Sequence, residues 1–301
     1  MGGPASQGAG ATPSMDGPSL SGPTVLRILL GARLRELRLA RHIMAEQAAY
    51  VIRASQSKIS RLESGQVSFK ERDVADLLTH YGLTDPAERE ALLEMARQSN
   101  APGWWHRYSD VVPSWFHTYL GLEEAAGSIR AFETVHIPAL LQTREYAAAL
   151  HTRGSKDVAA DTRERLLDFT ARRQRLLQRA NAPHLWFVID EGVLLRQVGD
   201  RETMRAQLEH LAGVTRLPNV TVQILPSAAP RLGSSPFHIL RFLEPSLPDL
   251  VFVQHLTGAL YLDRAAEVDV YYSELDRLAV AARTPEDSRD AVLAMLGGLD
   301  R

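Results

Sequence analysis

The chain has 301 residues, is 45% hydrophobic and 23% charged, and carries a formal net charge of -2, which is ordinary for a globular protein of two domains. The near-neutral balance gives no global argument for a nucleic-acid partner, and the absence of cysteine excludes disulfides, thiolate metal sites and a cysteine nucleophile. No run approaches ~18 apolar residues, and no charged start precedes an apolar segment at the N-terminus, so we expect neither a membrane span nor a signal peptide.

Residues 1–23 are dominated by Gly, Pro, Ser and Ala, and this composition predicts a disordered tail. From residue 25 the apolar side chains recur at helical spacing, which predicts five helices before residue 100. The fifth has the clearest start, because Asp85 is a natural N-cap and Pro86 occupies the first helical position. The expected helices span residues 25–41, 45–52, 56–63, 70–81 and 86–99.

An aromatic-rich segment over residues 101–120 predicts a linker or junction, and an α+β domain is expected over residues 121–301. Strand-like runs lie close together between residues 220 and 254, joined by Gly, Pro and Ser loops, which favours a mainly antiparallel sheet. The helices of this domain are expected at residues 121–132, 139–151, 158–180, 200–213, 267–282 and after Pro285. The strands are expected at residues 184–189, 220–225, 237–242, 250–254 and 259–262.

The third helix lies in the stretch "SQSKISRLESG", which begins with a capping Ser and ends with Gly65. A helix of this length is unstable alone, and its only apolar members, Ile59 and Leu62, point to one side. Gln56, Ser57, Ser60 and Arg61 point to the other side. An α-helix fits the major groove of DNA, where Arg can bridge a guanine and Gln an adenine. With the preceding helix and a three-residue turn, this segment is typical of a helix-turn-helix.

The local charge agrees with a DNA-binding role. Between Val25 and Arg72 there are ten basic and four acidic residues, a balance of +6 in a chain whose total is -2. Such an asymmetry is what attraction to phosphates requires. The alternative, a polar surface helix in an ordinary bundle, is less favoured because length, turn spacing and charge coincide. Residues 25–100 are therefore predicted to form an all-α DNA-binding domain.

The stretch "LGARLRELRLARHIMAEQAAYVIRASQSKISRLESGQVSFKERDVADLLTHYGL" resembles the Xre family of helix-turn-helix regulators, whose fold is the five-helix Cro/phage-repressor type. The resemblance implies a structural ion pair between Arg38 and Glu63. It also implies one set of residues that contact bases and a second set that contacts phosphates or flanking positions. We add Arg53, in the turn, to the second set. The implied base contacts are Gln56, Ser57 and Arg61, and the phosphate or flanking contacts are Ser55, Lys58 and Arg53.

The chain departs from the Xre pattern at two places. The second helix of that family usually opens with a Thr-Gln pair, in which Thr caps the helix and Gln reaches the DNA backbone, but here these positions are Met44 and Ala45. We expect the missing cap to cost about 1 kcal/mol and a phosphate contact to be lost with it. The turn position that is often Gly is Arg53, where a positive φ would be mildly strained.

The rest of the chain resembles the C-terminal domain of Scr1-type, antitoxin-like actinobacterial regulators, through pieces such as "HIPALLQTREYAAAL", "LWFVIDEGVLLRQVGD" and "VFVQHLTGALYLD". An actinobacterial source also fits the abundance of Ala and the presence of only three lysines among 34 basic residues. The resemblance implies a DNA-binding regulator, often encoded beside a small partner protein, and implies no chemistry for particular residues of this domain.

Three groups of side chains in the second half leave alternatives open. An aromatic cluster at the junction could line a ligand pocket, although packing between the domains is favoured. His136 and Gln142 could face a pocket, although a helix cap and a surface face are favoured. The arginine-rich, amphipathic stretch over residues 163–180 could contact DNA or an acidic partner, although a solvated face is favoured. The aromatic cluster comprises Trp104, Trp105, Trp115 and Phe116.

No catalytic motif is found in the sequence. Asp190 and Glu191 are adjacent, so in a strand they would face opposite sides and form no acid-base pair. The histidines are scattered, and there is no P-loop, no Gly-x-Ser-x-Gly and no dinucleotide-binding glycine pattern. We therefore expect no enzyme, no cofactor and no metal site.

The leading hypothesis is a sequence-specific, homodimeric transcriptional regulator that binds double-stranded DNA, with repression as the expected mode. Its C-terminal domain would provide dimerisation and an input from a small-molecule effector or a protein partner. The expected location is the cytoplasm, on the nucleoid. The alternative is an antitoxin-like interaction protein whose main role is to bind a small partner protein.

Overall fold

The computed structural model describes residues 22–154, 159–229 and 235–299. The predicted disordered tail over residues 1–23 lies outside these ranges, apart from its last two residues. Residues 22 and 23 are the N-cap and the first residue of a helix, because Pro23 has the φ that a first helical position requires.

The N-terminal region is an all-α bundle, and the five-helix prediction is confirmed. Its core is formed by apolar residues that recur at helical spacing, among them Leu30, Leu34, Ile59, Val74 and Leu78, each at most 1% exposed. The helices are α1 (Pro23–Ala40), α2 (Ala45–Val51), α3 (Gln56–Glu63), α4 (Glu71–His80) and α5 (Pro86–Ser99).

The first helix belongs to both domains. Its central turns supply Leu30 and Leu34 to the bundle core, whereas Ile28 packs against the core of the C-terminal domain. At its first turn Thr24 is buried against Gly121, where a Cβ atom would lie only 2.1 Å from the Thr24 hydroxyl oxygen. The start of α1 is therefore docked on the C-terminal domain, with the side chain of Thr24 seated directly on the backbone of Gly121.

The C-terminal domain is built on one six-stranded sheet in the order β3-β2-β1-β4-β5-β6. β1 pairs with β2, and β2 with β3, in parallel, and the other three pairings are antiparallel. The α+β prediction with a mainly antiparallel sheet is thus confirmed, with a parallel half added. The strands are β1 (Ala126–Glu133), β2 (His184–Asp190), β3 (Val220–Leu225), β4 (Phe237–Phe242), β5 (Leu250–His255) and β6 (Gly258–Leu262).

Helices cover both faces of this sheet. One face packs on side chains such as Leu208, Leu211 and Val292, and the other packs on Leu275 and Leu278. Short 3-10 turns at Trp104–Tyr108 and Ser114–Phe116 precede the domain, and two others lie at Ala139–Leu141 and Arg175–Gln178. The helices are α6 (His117–Ala125), α7 (Arg144–Gly154), α8 (Ala160–Gln174), α9 (Glu191–Leu195), α10 (Arg201–Val214), α11 (Ala265–Ala281) and α12 (Pro285–Leu299).

The helix predicted over residues 121–132 is wrong, because α6 ends at Ala125 and the next eight residues form the central strand β1. The segment Ala126–Glu133 contains helix-compatible Ala and Glu and no strict alternation of polar and apolar residues. It is a strand because it pairs on both sides, so that Ile129 lies opposite Leu185 of β2 and Leu240 of β4. Tertiary pairing therefore overrides local propensity here.

The sequence also suggested that the runs between residues 220 and 254 lie side by side. β4 and β5 do so, but β3 is at the opposite edge of the sheet. Parallel neighbours must be joined by a crossover connection. The chain crosses over from β1 to β2 and again from β2 to β3 in the same direction, so β3 lies two strands away from β1 at the edge of the sheet. The helix predicted from residue 139 begins with a 3-10 turn, and α7 starts only at Arg144.

Gly31 fixes the distance between α1 and α3. A Cβ atom at this position would lie 2.4 Å from the carbonyl oxygen of Leu62 and 2.7 Å from that of Glu63. Both neighbours are backbone atoms and cannot rotate away. Gly in a helix interior costs about 1 kcal/mol relative to Ala, and here the cost is offset by the close contact of the two backbones.

We expect Gly31→Ala to lower the free energy of unfolding by about 1–3 kcal/mol, because α3 must move away from α1. Gly213→Ala in α10 is the matched control, since no atom lies within 4 Å of a Cβ there. The control should keep or raise the stability by up to about 1 kcal/mol. Urea unfolding of both variants measures the difference, and equal stability would contradict the close approach.

Candidate nucleic-acid interface

Helix α3 is anchored by its two apolar residues. Ile59 and Leu62 are 1% and 2% exposed and belong to the core of the bundle. The helix begins with Ser55 as N-cap, whose Oγ accepts a hydrogen bond from the backbone N–H of Lys58 at 3.2 Å. Burial of one face fixes the rotation of the helix, so the opposite face is turned toward solvent.

The exposed face carries the three predicted base-reading side chains. Gln56, Ser57 and Arg61 are all exposed; Ser57 and Arg61 lie one helical turn apart, and Gln56 lies on the adjoining part of the exposed surface of α3. The hydroxyls of Ser55 and Ser57 are 2.9 Å apart, and Arg61 Nε donates to the Ser57 carbonyl oxygen at 3.4 Å. Gln56 makes no side-chain hydrogen bond within the described ranges. Donors and acceptors are therefore available to an external partner.

Arg53 lies in the turn between α2 and α3 with a φ of +51°. This φ lies in the left-handed region, which is uncommon for a residue with a Cβ atom. The mild strain expected where Arg replaces the usual Gly is therefore present. Its side chain is exposed and forms no ion pair with the part of the chain that is described. A second residue with positive φ, His42 at +56°, follows α1 and was not predicted.

Lys58 does not project freely. Its Nζ lies 2.9 Å from Oδ2 of Asp73 in α4, and the side chain of Asp73 is only 8% exposed. The ammonium thus offsets the charge of a buried carboxylate, and Ser55 serves as a helix cap. Of the three residues assigned to phosphate or flanking contacts, Ser55 and Lys58 therefore have structural roles in the free protein, and the contact of all three with DNA stays a prediction.

Arg38 and Glu63 form a bidentate ion pair between α1 and the last residue of α3. Nε lies 2.6 Å from Oε1 and Nη2 lies 2.8 Å from Oε2, while Nη1 donates to the Ile43 carbonyl oxygen at 2.8 Å. The side chains are 10% and 8% exposed. Hydrogen bonds to the Glu63 carboxylate raise the pKa of Arg38. Burial raises the pKa of the neighbouring Tyr81 hydroxyl, and the Glu63 charge adds to this shift.

Helix α2 compensates in part for its missing cap. Met44 provides no side-chain acceptor at the N-cap, as the sequence indicated. However, Gln47 Oε1 accepts a hydrogen bond from the backbone N–H of Met44 at 2.8 Å. This is one half of a capping box, so one of the exposed backbone donors is satisfied.

Intramolecular ion pairs reduce the positive charge that is available to a partner. Besides Arg38 and Lys58, Arg33 is paired, with Glu36 and Glu88. Arg41 donates to the Gly82 carbonyl oxygen at 3.1 Å. The remaining exposed cations have no carboxylate partner among the residues that the structure covers. They are Arg35, Arg53, Arg61, Lys70 and Arg72.

The aromatic cluster packs the junction. Trp104 and Trp105 lie edge to face with centroids 5.8 Å apart, and Trp104 also contacts Phe169 of α8. Trp115 packs against Phe116, which in turn stacks on Tyr119 of α6 at 5.0 Å. None of the four junction aromatics lines the cleft described below.

Gln142 and His136 lie in the segment that leads into α7. Gln142 is buried, and its Nε2 donates to the Ile137 carbonyl oxygen at 2.6 Å. The backbone carbonyl oxygen of Gln142 accepts a hydrogen bond from Gln174 Nε2 at 2.7 Å. His136 is half-buried, with Nδ1 3.2 Å from the carbonyl oxygen of Ile137. Gln142 thus holds the chain before α7 against α8.

The arginine-rich stretch over residues 163–180 is largely engaged within the domain. Arg173 forms a bidentate ion pair with buried Glu123, at 2.9 and 2.6 Å. Arg165 pairs with Asp110 at 2.7 Å, and Arg179 pairs with Glu124 at 2.6 Å. The carboxylates lie earlier in the sequence than the stretch itself. Pairing with them accounts for these three arginines without an external partner.

Sequence reasoning missed a cleft between the two domains. The interdomain cleft has a volume of about 480 Å³, and Gln56 and Ser60 of α3 form part of one wall. No local pattern could reveal it, because its walls join residues more than 200 positions apart. The residues used below are Arg35, Gln56 and Ser60 from the helical bundle and Leu122, Phe242, Leu250, Tyr261, Asp263 and Arg264 from the C-terminal domain.

Among the helices that the structure describes, none combines the length and the apolar character that crossing a membrane requires.

The comparisons with known proteins agree with this architecture. A family described as "Helix-turn-helix domain" matches residues 29–92, which contain α2, the turn and α3. A second family, described as "Domain of unknown function (DUF5753)", matches residues 116–294, which contain the whole sheet. Comparison of the chain with curated proteins and with solved structures finds no significant match. Because the second match spans more than half of the sequence, the chain belongs to the DUF5753 family and carries a helix-turn-helix domain ahead of that family's domain.

Proposed function

We propose that the protein is a sequence-specific DNA-binding transcriptional regulator of the Xre type. The observation that carries the proposal is the orientation of α3, whose apolar residues are buried and whose Gln56, Ser57 and Arg61 are exposed together. The match of residues 29–92 to a helix-turn-helix domain supports the same class of function.

In this proposal α3 lies in the major groove. Arg61 contacts a guanine and Gln56 an adenine, since these side chains can form two hydrogen bonds with those bases. Arg53, Lys70 and Arg72, the exposed cations at the turn and at the start of α4, contact phosphates and position the helix. Affinity would then fall as salt rises, because counterions are released from the DNA.

The proposed active form is a homodimer that represses by occupying its operator in the cytoplasm, on the nucleoid. An eight-residue helix reads few base pairs, and two copies related by a two-fold axis read a palindromic site. The C-terminal domain provides the dimer contacts and the regulatory input.

A second candidate function, an antitoxin-like protein of the Scr1 type that binds a small partner protein, is favoured by the surface around β6. This strand lies at the edge of the sheet and carries Leu260, which is 49% exposed. Leu256 in the turn before it and Val270 in α11 are 97% and 66% exposed. An edge strand with apolar neighbours suits a protein partner. Co-purification of a small protein from native cells would favour this function, whereas isolation of a homodimer alone would weaken it.

We expect Arg61→Ala to weaken binding to the selected operator by about 1–3 kcal/mol and to relax base preference at one position of each half-site. Selection from randomised duplexes followed by anisotropy titration measures both effects. Arg216→Ala, an exposed residue of the C-terminal domain, is the control and should match the wild type. Unchanged sequence preference in Arg61→Ala would count against the assignment of α3 as the reading helix.

We expect Arg53→Gly to change stability and DNA affinity in opposite directions. Gly removes the strain of a positive φ, so the free energy of unfolding should rise by up to about 1 kcal/mol. Loss of the guanidinium should weaken binding similarly for all sequences and reduce the slope of log affinity against log salt by about 1. Urea unfolding and anisotropy at several salt concentrations measure the two effects, and an unaltered slope would remove Arg53 from the phosphate contacts.

A further inference from the structure

The interdomain cleft has the size and the lining of a small-molecule site. Its volume of about 480 Å³ lies within the range of about 300–1,000 Å³ that is usual for such sites. Phe242, Leu250 and Tyr261 supply an apolar surface from the C-terminal domain, and Leu122 also borders the cleft but is fully buried. Polar groups stand around this surface, as in sites that orient a ligand by a few directed contacts.

The charged groups of the cleft favour an anion. Arg38 and Glu63 also line it, but they neutralise each other through their bidentate pair. Arg35 on α1 and Arg264 before α11 are exposed, and neither forms an ion pair within the described ranges. Asp263 opposes them with a single charge. Two guanidinium groups with one carboxylate leave a net positive lining, and a guanidinium suits a carboxylate, sulfonate or phosphate.

The cleft shares residues with the DNA-reading face. Gln56 and Ser60 are one helical turn apart on α3 and both line the cleft, and neither side chain has a hydrogen-bond partner in the described part of the chain. A molecule in the cleft that engages the Gln56 amide removes that amide from base reading. Occupancy of the cleft and DNA binding are therefore coupled through the side chain of Gln56. This coupling needs no conformational change elsewhere in the protein.

We propose that the interdomain cleft binds an amphipathic anionic small molecule, which competes with DNA for Gln56. The acidic group lies between Arg35 and Arg264, and the apolar body lies on Phe242, Leu250 and Tyr261. The part of this inference that concerns competition rests on the proposed function, whereas the binding site itself does not. A DNA backbone entering the cleft suits the two arginines but would leave the apolar surface without a complementary partner.

The test uses 8-anilino-1-naphthalenesulfonate, a fluorescent molecule with an aromatic body and one sulfonate, with the full-length protein. We expect saturable binding of one molecule per chain, weakened about tenfold in Arg264→Gln and in Arg35→Gln, because each variant loses a charged hydrogen-bond donor. Arg216→Gln, exposed on the C-terminal domain and outside the cleft, should bind the dye as the wild type does. Circular dichroism confirms that each variant is folded.

A second titration tests the coupling. With dye at ten times its dissociation constant, competition raises the apparent dissociation constant for operator DNA about tenfold. Dye binding that is equal in wild type, Arg264→Gln and Arg35→Gln would overturn the site. A weaker DNA affinity and a shallower salt slope in Arg264→Gln without dye would assign the cleft to a DNA phosphate and overturn the proposal as well.

The two titrations separate the inference from the proposed function. If no duplex sequence is preferred by the wild type, the proposed function fails, but the dye experiment contains no DNA and still decides whether the site exists. If the dye binds at the arginines and leaves DNA affinity unchanged, the competition is refuted and the regulator assignment is untouched.

Discussion

The buried ion pair between Arg38 and Glu63 is the interaction on which the position of α3 and its exposed face depends. It joins the end of α3 to α1 with two short hydrogen bonds, and a third bond ties the same guanidinium to the chain before α2. Removing one partner of a buried pair typically costs about 3–5 kcal/mol, because the other charge is left uncompensated. Together with the backbone contact at Gly31, the pair fixes both the tilt and the distance of a helix that has only two apolar residues.

Because α1 also docks on the C-terminal domain, the orientation of α3 is defined relative to that domain. Thr24 and Ile28 contact the C-terminal side, whereas Leu30, Leu34 and Arg38 contact the bundle. One 18-residue helix is thus common to both halves. This arrangement places the interdomain cleft beside α3, so that residues of the C-terminal domain and the exposed side chains Gln56 and Ser60 line the same cleft.

The sequence predicted the bundle well because helical periodicity, caps and the short polar helix are local features. It also selected the outward face of α3 correctly, since Ile59 and Leu62 had to be buried. It did not predict that Asp73 engages Lys58, because the ion pair joins two helices. It assigned β1 to a helix, because only its partners β2 and β4 make Ala126–Glu133 a strand. The cleft could not be predicted, because it depends on how two domains dock.

The central position of β1 has a consequence for the order in which the polypeptide folds during synthesis. Its antiparallel neighbour β4 begins only at Phe237, so the sheet cannot be completed until most of the chain has left the ribosome. The bundle, in contrast, closes through contacts among residues 23–99. Local contacts form fast and domains emerge from the N-terminus first. A nascent chain therefore completes its helix-turn-helix bundle well before the sheet of the C-terminal domain can close.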